Sequence, residues 1–270
     1  MRRALWLLVL LAGNAAAERV VTIGGDVTEI VYALGAGGEL VARDSTSTRP
    51  AAAGALPDVG YMRQLNAEGI LAMRPSLVLA TAQAAPALAL DQIRQSGVEV
   101  MMVPPAVTLD QIADKVAVVA HALHRDSQGE TLSRQLRAQL DQMHYAALPT
   151  KVLFIMSHGG MSTLVAGQQT AADQVLAAAG VRNAMQGFNG YKPLSAEGVI
   201  AAAPDLVLVT TDGLRTLGGQ AQVWALPGLR LTPAGRGGRL LVLDDMALLG
   251  FGPATPAAVR QLRAAAAPAP

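Results

Sequence analysis

Tyr61 and Arg63 stand two residues apart in "PDVGYMRQLNAEGI" (57–70), in a chain with four tyrosines and 3% aromatic residues. A guanidinium near a phenol favours the phenolate over the neutral form, whose free pKa is about 10. A phenolate is a hard anionic oxygen donor suited to ferric iron, haem iron included. Composition alone favours a plainer reading, a loop tyrosine with an unrelated arginine nearby.

Other residues able to do chemistry are few. His121 and His124 are three apart on a helical stretch and could share a face. They read as a solvated pair, because no third ligand is near them in sequence. His144 ends that stretch. His158, in "FIMSHGGMS", follows an apolar run and precedes two glycines. Strand ends in parallel α/β sheets face the ligand crevice, so a ligand-facing histidine and a loop histidine both fit. The chain has no cysteine, which excludes disulfides, thiolate metal sites, a thiol nucleophile and an N-terminal lipid on cysteine. It has no G-x-S-x-G elbow, phosphate-binding G-x-x-x-x-G-K-[ST] or H-E-x-x-H. Ser157–His158 is the one adjacent nucleophile–base pair, and no third residue orients it. An enzyme is not expected.

The elements that must position these residues follow from the apolar pattern. The 270 residues are 51% hydrophobic with mean hydropathy +0.34, ample for a large core. A net charge of +1 without a basic stretch argues against nucleic acid. "MRRALWLLVLLAGNAAAERV" has two arginines, a short apolar run and an A-x-A pattern at Ala15 and Ala17. That is an export signal over residues 1–17, too short to span a bilayer. Cleavage after Ala17 leaves 19 basic and 20 acidic side chains.

Apolar runs at 19–25, 39–44, 76–81 and 98–104 read as strands. Helical patterns lie between them, including one from Asp26 with Asp26 or Thr28 as cap and Gly35 near its end. Continuous apolar strands alternating with helices argue for a parallel sheet covered on both faces. Residues 109–148 are mostly helix-forming, and Gly129 marks a break or junction. A second β/α series begins at "KVLFIMS" (151–157). "LNAEGILAMRPSLVLAT" (65–81) matches "LSAEGVIAAAPDLVLVT" (194–210) at a constant offset of 129. The expected organisation is an α/β lobe over 18–106, a helical connector over 107–149 and a similar lobe over 150–270. Two such lobes enclose a cleft, where ligands usually bind.

Taken in order, "LPDVGYMRQLNAEGILAMRPSLVL", "FIMSHGG", "FNGYKPLSAEGVIAAAPDLVLVTT", "LPGLRLTPAG" and "DDMALLGFGP" resemble the substrate-binding protein of a bacterial haem ABC importer. The resemblance covers essentially the whole mature chain. The wider family also carries cobalamin and siderophores. It implies two α/β lobes, each a mainly parallel sheet covered by helices, joined by a long connecting α-helix with small hinge motion. It implies haem b as transported ligand, a dimeric inner-membrane permease as partner, and a monomer in the periplasm without a lipid anchor. It places the haem-iron ligand at Tyr61, its support at Arg63 and a second haem ligand at His158. Glu68 and Glu197 fall where relatives present a glutamate to arginines on the permease. The two also suit a helix first turn, where the dipole favours a carboxylate. Lys192 and Arg215 are candidates for the haem propionates. Relatives carry a basic residue after "FGP"; this chain has Ala254, so that task is absent or moved. The alternatives are a carrier of cobalamin or a ferric siderophore, and an exported hydrolase. A zinc or manganese carrier fits poorly with scattered histidines.

Overall fold

The computed structural model describes residues 18–159 and 162–267; the expected export segment lies outside them. The first lobe contains β1 (Val20–Ile23), α1 (Gly25–Ala33), β2 (Leu40–Arg43), α2 (Ala67–Ala72), β3 (Leu77–Thr81), α3 (Ala87–Gln95) and β4 (Glu99–Val103). Then come α4 (Ile112–Ala122) and α5 (Asp126–Asp141). The second lobe begins with β5 (Lys151–Met156), β6 (Leu164–Ala166), α6 (Ala171–Ala178), β7 (Arg182–Asn183), β8 (Tyr191–Pro193), α7 (Ala196–Ala202) and β9 (Leu206–Thr210). It ends with α8 (Thr211–Leu217), α9 (Gln220–Ala225), α10 (Pro233–Gly237), β10 (Leu240–Leu243), α11 (Asp245–Leu249) and α12 (Thr255–Ala266).

The first sheet runs β2-β1-β3-β4, all parallel. The second runs β10-β9-β5-β6-β8: β10, β9 and β5 are parallel, while β6 and β8 add an antiparallel edge. Burial explains the continuous apolar strands. Val20, Leu77 and Leu79 point into one core, and Val21, Ile23, Val78 and Ala80 into another on the opposite face. In the second lobe Val152, Phe154, Leu206 and Leu208 join the first of these cores, while Leu153, Ile155, Val207 and Val209 fill a third. The two lobes therefore share one hydrophobic core. Interiors packed to crystal-like density yield little, so this core limits how far the lobes can part.

Three expectations need correction. The helix-rich stretch is a packed pair, in which α5 is the long helix leading to the second lobe. The break falls at Leu123–Arg125, where His124 takes φ 53°, and not at Gly129. Gly129 lies inside α5, where an added Cβ would meet the Ala120 Cβ at 2.4 Å. It is small because two helices approach there. His121 lies in the last turn of α4 and His124 sits in the turn beyond it, so they do not share a helix face. Neither Asp26 nor Thr28 caps α1. Gly24 is the N-cap, the Thr28 hydroxyl bonds Thr22 Oγ1 at 2.7 Å, and Asp26 pairs with Lys115. Gly35, at φ 75°, does follow the C-cap, and Ala36 N–H returns to the Val31 carbonyl.

The chain's last segment returns to the first lobe. Gly25 lies so close to Met246 that a Cβ would meet its Cγ at 2.5 Å. Lys115 Nζ donates to buried Asp26 and, at 2.8 Å, to the Gly250 carbonyl. Ala254 N–H donates to Glu29 at 3.3 Å. These contacts form a polar seam between α1 and residues 246–254.

Candidate functional site

The loop that carries Tyr61 is held from three sides. Asp58 accepts from Arg43 at 2.6 Å and from Gly60 N–H at 2.8 Å, tying the loop to the end of β2. Ser45 N–H donates to the Gly60 carbonyl at 2.9 Å. Gly60 has φ 98°, a conformation that a side chain would strain. Ala85 N–H bonds the Met62 carbonyl at 2.8 Å, and Leu65 N–H the Ala85 carbonyl at 2.9 Å, joining the loop to the segment after β3. Met62 and Leu65 are buried anchors. Tyr61, just before the first anchor, is half-buried, and Arg63, between the two, is exposed.

His158 arrives from the other lobe. β5 ends at Met156, Ser157 is buried, and His158 is exposed just beyond the strand's carboxyl end. Its ring lies 5.9 Å from that of Tyr61, centroid to centroid, tilted by 43°. That separation is within the range of a direct aromatic contact. The structure thus brings together residues 97 positions apart in sequence, one from each lobe: a phenol oxygen donor and an imidazole nitrogen donor. Both are donor types used by ferric iron.

Arg63 donates through Nη2 to Gln83 Oε1 at 2.6 Å. Among the described residues no hydrogen bond joins it to the Tyr61 hydroxyl. Gln83 lies in the segment after β3 that also holds the Tyr61 loop, and sequence reasoning missed it. Nothing in a lone glutamine signals a contact 20 residues away.

The remaining expected residues are more scattered. Lys192, on edge strand β8, lies 4.6 Å over the Phe188 ring. Neighbouring Tyr191 has its phenol pushed up by burial, an effect opposed by a hydrogen bond with Thr170. Arg215 is largely exposed and pairs with Asp212 at 2.6 Å. Glu68 and Glu197 are exposed at the second position of α2 and α7. Asn66 caps the first of these helices and Ser195 the second. No cluster of three or more His, Cys, Asp or Glu that could hold a metal occurs among the described residues. A hollow of about 650 Å³ lined by Lys151, Asp173, Arg182 and Asn183 lies at the starting end of β5, away from His158.

Two α/β lobes on a common core, with Tyr61 and His158 meeting from opposite lobes, match a solute-binding architecture. The chain belongs to the periplasmic binding protein family, whose model matches residues 20–247. Among solved structures it is similar to the periplasmic heme-binding protein RhuT from Roseiflexus sp. RS-1, in apo form. The two are 42% identical with TM-score 0.88, over 92% of this chain and 97% of that one. It is also similar to the periplasmic heme-binding protein BhuT in complex with two hemes. There the identity is 44% and the TM-score 0.82, over 93% and 99% of the two chains. A vitamin B12-binding protein of Photorhabdus laumondii is 28% identical over 212 residues, 77% of this chain and 74% of that protein. An uncharacterized ABC transporter substrate-binding lipoprotein of Bacillus subtilis, YvrC, is 25% identical over 205 residues. That alignment spans 73% of this chain and 65% of YvrC. No described helix is long and apolar enough to cross a membrane.

Proposed function

We propose that the protein binds ferric haem in the cleft between its lobes and delivers it to an inner-membrane ABC importer. The observation that carries this reading is the Tyr61–His158 pair, two iron-ligand types presented from opposite lobes at 5.9 Å. The heme-binding proteins it resembles at 42% and 44% identity support the choice of cargo. Tyr61 is the iron ligand, and Arg63, steadied by Gln83, supports its phenolate. His158 is the second donor, available to a further haem. Lys192 and Arg215 are cations for the propionates, each released from its present partner, Phe188 or Asp212.

Rings in contact leave no room for a third ring between them. Loading therefore moves Tyr61 and His158 apart, through side-chain rotation or a small hinge about the shared core. The protein carries its cargo unchanged and is not an enzyme. It works as a monomer in the periplasm, released from its export signal after Ala17 and bearing no lipid. Glu68 and Glu197 face the permease.

The test is a hemin titration followed by absorbance. Wild type shifts the Soret band and develops a high-spin charge-transfer feature. Tyr61→Ala loses that feature and binds at least tenfold more weakly. Equal affinity in the variant overturns the ligand assignment, and displacement of hemin by cobalamin at equal concentration overturns the cargo.

A further inference from the structure

Glu29 is a buried carboxyl that the cargo site does not use. It lies on α1, with 7% of its surface exposed, under the segment by which the second lobe reaches the first. Its Oε2 accepts from Ala254 N–H at 3.3 Å, while Oε1 has no hydrogen-bond partner among the described residues. Arg49 Nε stands 3.5 Å from that Oε1, close enough for attraction but not for a hydrogen bond. A carboxylate oxygen buried without a donor is costly, and both opening to water and protonation relieve it.

The surrounding charges come from every element packed on this corner. Asp26 lies one turn earlier on α1 and is bound to Lys115 of α4. Asp244 comes from the end of β10, and Arg49 from the segment after β2. Burial chiefly, then the Asp244 and Asp26 charges, push the Glu29 carboxyl from 4.5 up to about 7; Arg49 and the Ala254 N–H pull the other way.

We infer that Glu29 is a proton-operated latch on the lobe–lobe seam, closed when protonated and loosened when ionised. The sign follows from linkage. The closed seam holds a proton that the opened, hydrated carboxyl gives up, so opening grows as pH rises through the closed-state value. Between pH 6 and pH 8 the opening equilibrium increases about tenfold. Because the seam joins the lobes that frame the cleft, the same transition speeds cargo release. That last step rests on the haem reading; the latch itself does not.

Amide exchange of Gly250, Gly252 and Ala254, corrected for intrinsic rates, reads the latch in cargo-free protein. Wild type opens about tenfold more at pH 8 than at pH 6. Glu29→Gln, neutral at both, shows no such rise. Arg49→Gln, lacking the opposing cation, shifts the rise to higher pH. A wild type with equal opening at both pH values, or a rise that survives in Glu29→Gln, overturns the latch. A second arm follows hemin transfer to apomyoglobin, which is faster at pH 8 for wild type and less pH-dependent for Glu29→Gln. If exchange behaves as stated but both proteins release hemin with the same pH dependence, the coupling to cargo fails and the latch stands. If wild type binds no hemin at all, the haem reading fails and the exchange result still decides the latch.

Discussion

At the scale of residues, the site divides into what a residue type announces and what only the fold assembles. Tyr61 stood out because aromatics are scarce and an arginine follows it closely. His158 was one of two open readings, and its approach to Tyr61 depends on how two separate lobes are set against each other. No spacing in sequence encodes that. Gln83 left no trace, since its contact with Arg63 depends on backbone bonds between two loops. The arrangement orders the variants. On the proposed assignment, Arg63→Ala removes the cation beside the iron-binding tyrosine and weakens hemin binding about tenfold, or ~1.4 kcal/mol. Gln83→Ala removes an exposed hydrogen bond to that charge and costs less. A larger loss for Gln83→Ala shows in titration that the glutamine touches the cargo directly. His158→Ala keeps the Tyr61-bound equivalent and its charge-transfer band, and loses any second equivalent.

At the scale of elements, the strands were the most legible part. Each apolar run from 19 to 104 holds a strand of the first sheet; the inner strands β1 and β3 are buried on both faces and so have no polar alternation to lose. The antiparallel edge of the second sheet was not legible: β6 and β8 are three residues each, too short for a pattern. The connector misled for a specific reason. Gly129 looked like a helix breaker, yet it is a contact point, with its missing side chain filled by Ala120. Gly129→Leu gains about 1 kcal/mol of helix propensity. Against this, it drives a branched side chain into a gap already closed at the Cβ, and overpacking typically costs about 1–3 kcal/mol. The obstacle is a rigid alanine Cβ rather than a flexible chain end, so the loss wins. Calorimetry should show a lower Tm by a few degrees, with hemin affinity of the folded protein preserved. An unchanged or raised Tm means that α4 and α5 separate at little cost.

At the scale of the whole molecule, the internal repeat makes the two lobes legible in the sequence. The seam between α1 and residues 246–254 was not legible, because Asp26, Lys115 and Gly250 are linked by contacts spanning 89 and 135 positions. The same repeat places Glu68 and Glu197 at matching points of matched helices, both exposed and both behind a side-chain cap. Among the described residues neither carboxylate forms an ion pair, and a first-turn acid contributes only about 0.3–1 kcal/mol through the helix dipole. Reversing them therefore leaves the lobes intact. Docking responds differently, because a like-charge contact across an interface costs several kcal/mol and slows association. Glu68→Lys combined with Glu197→Lys should abolish hemin-dependent growth in cells that rely on this importer, while each single change gives an intermediate defect. Hemin affinity of the purified double variant should stay within about twofold of wild type. Normal growth with the double variant removes the docking role from both residues. Lost growth with a matching loss of hemin affinity moves the two glutamates from the permease face to the cargo site.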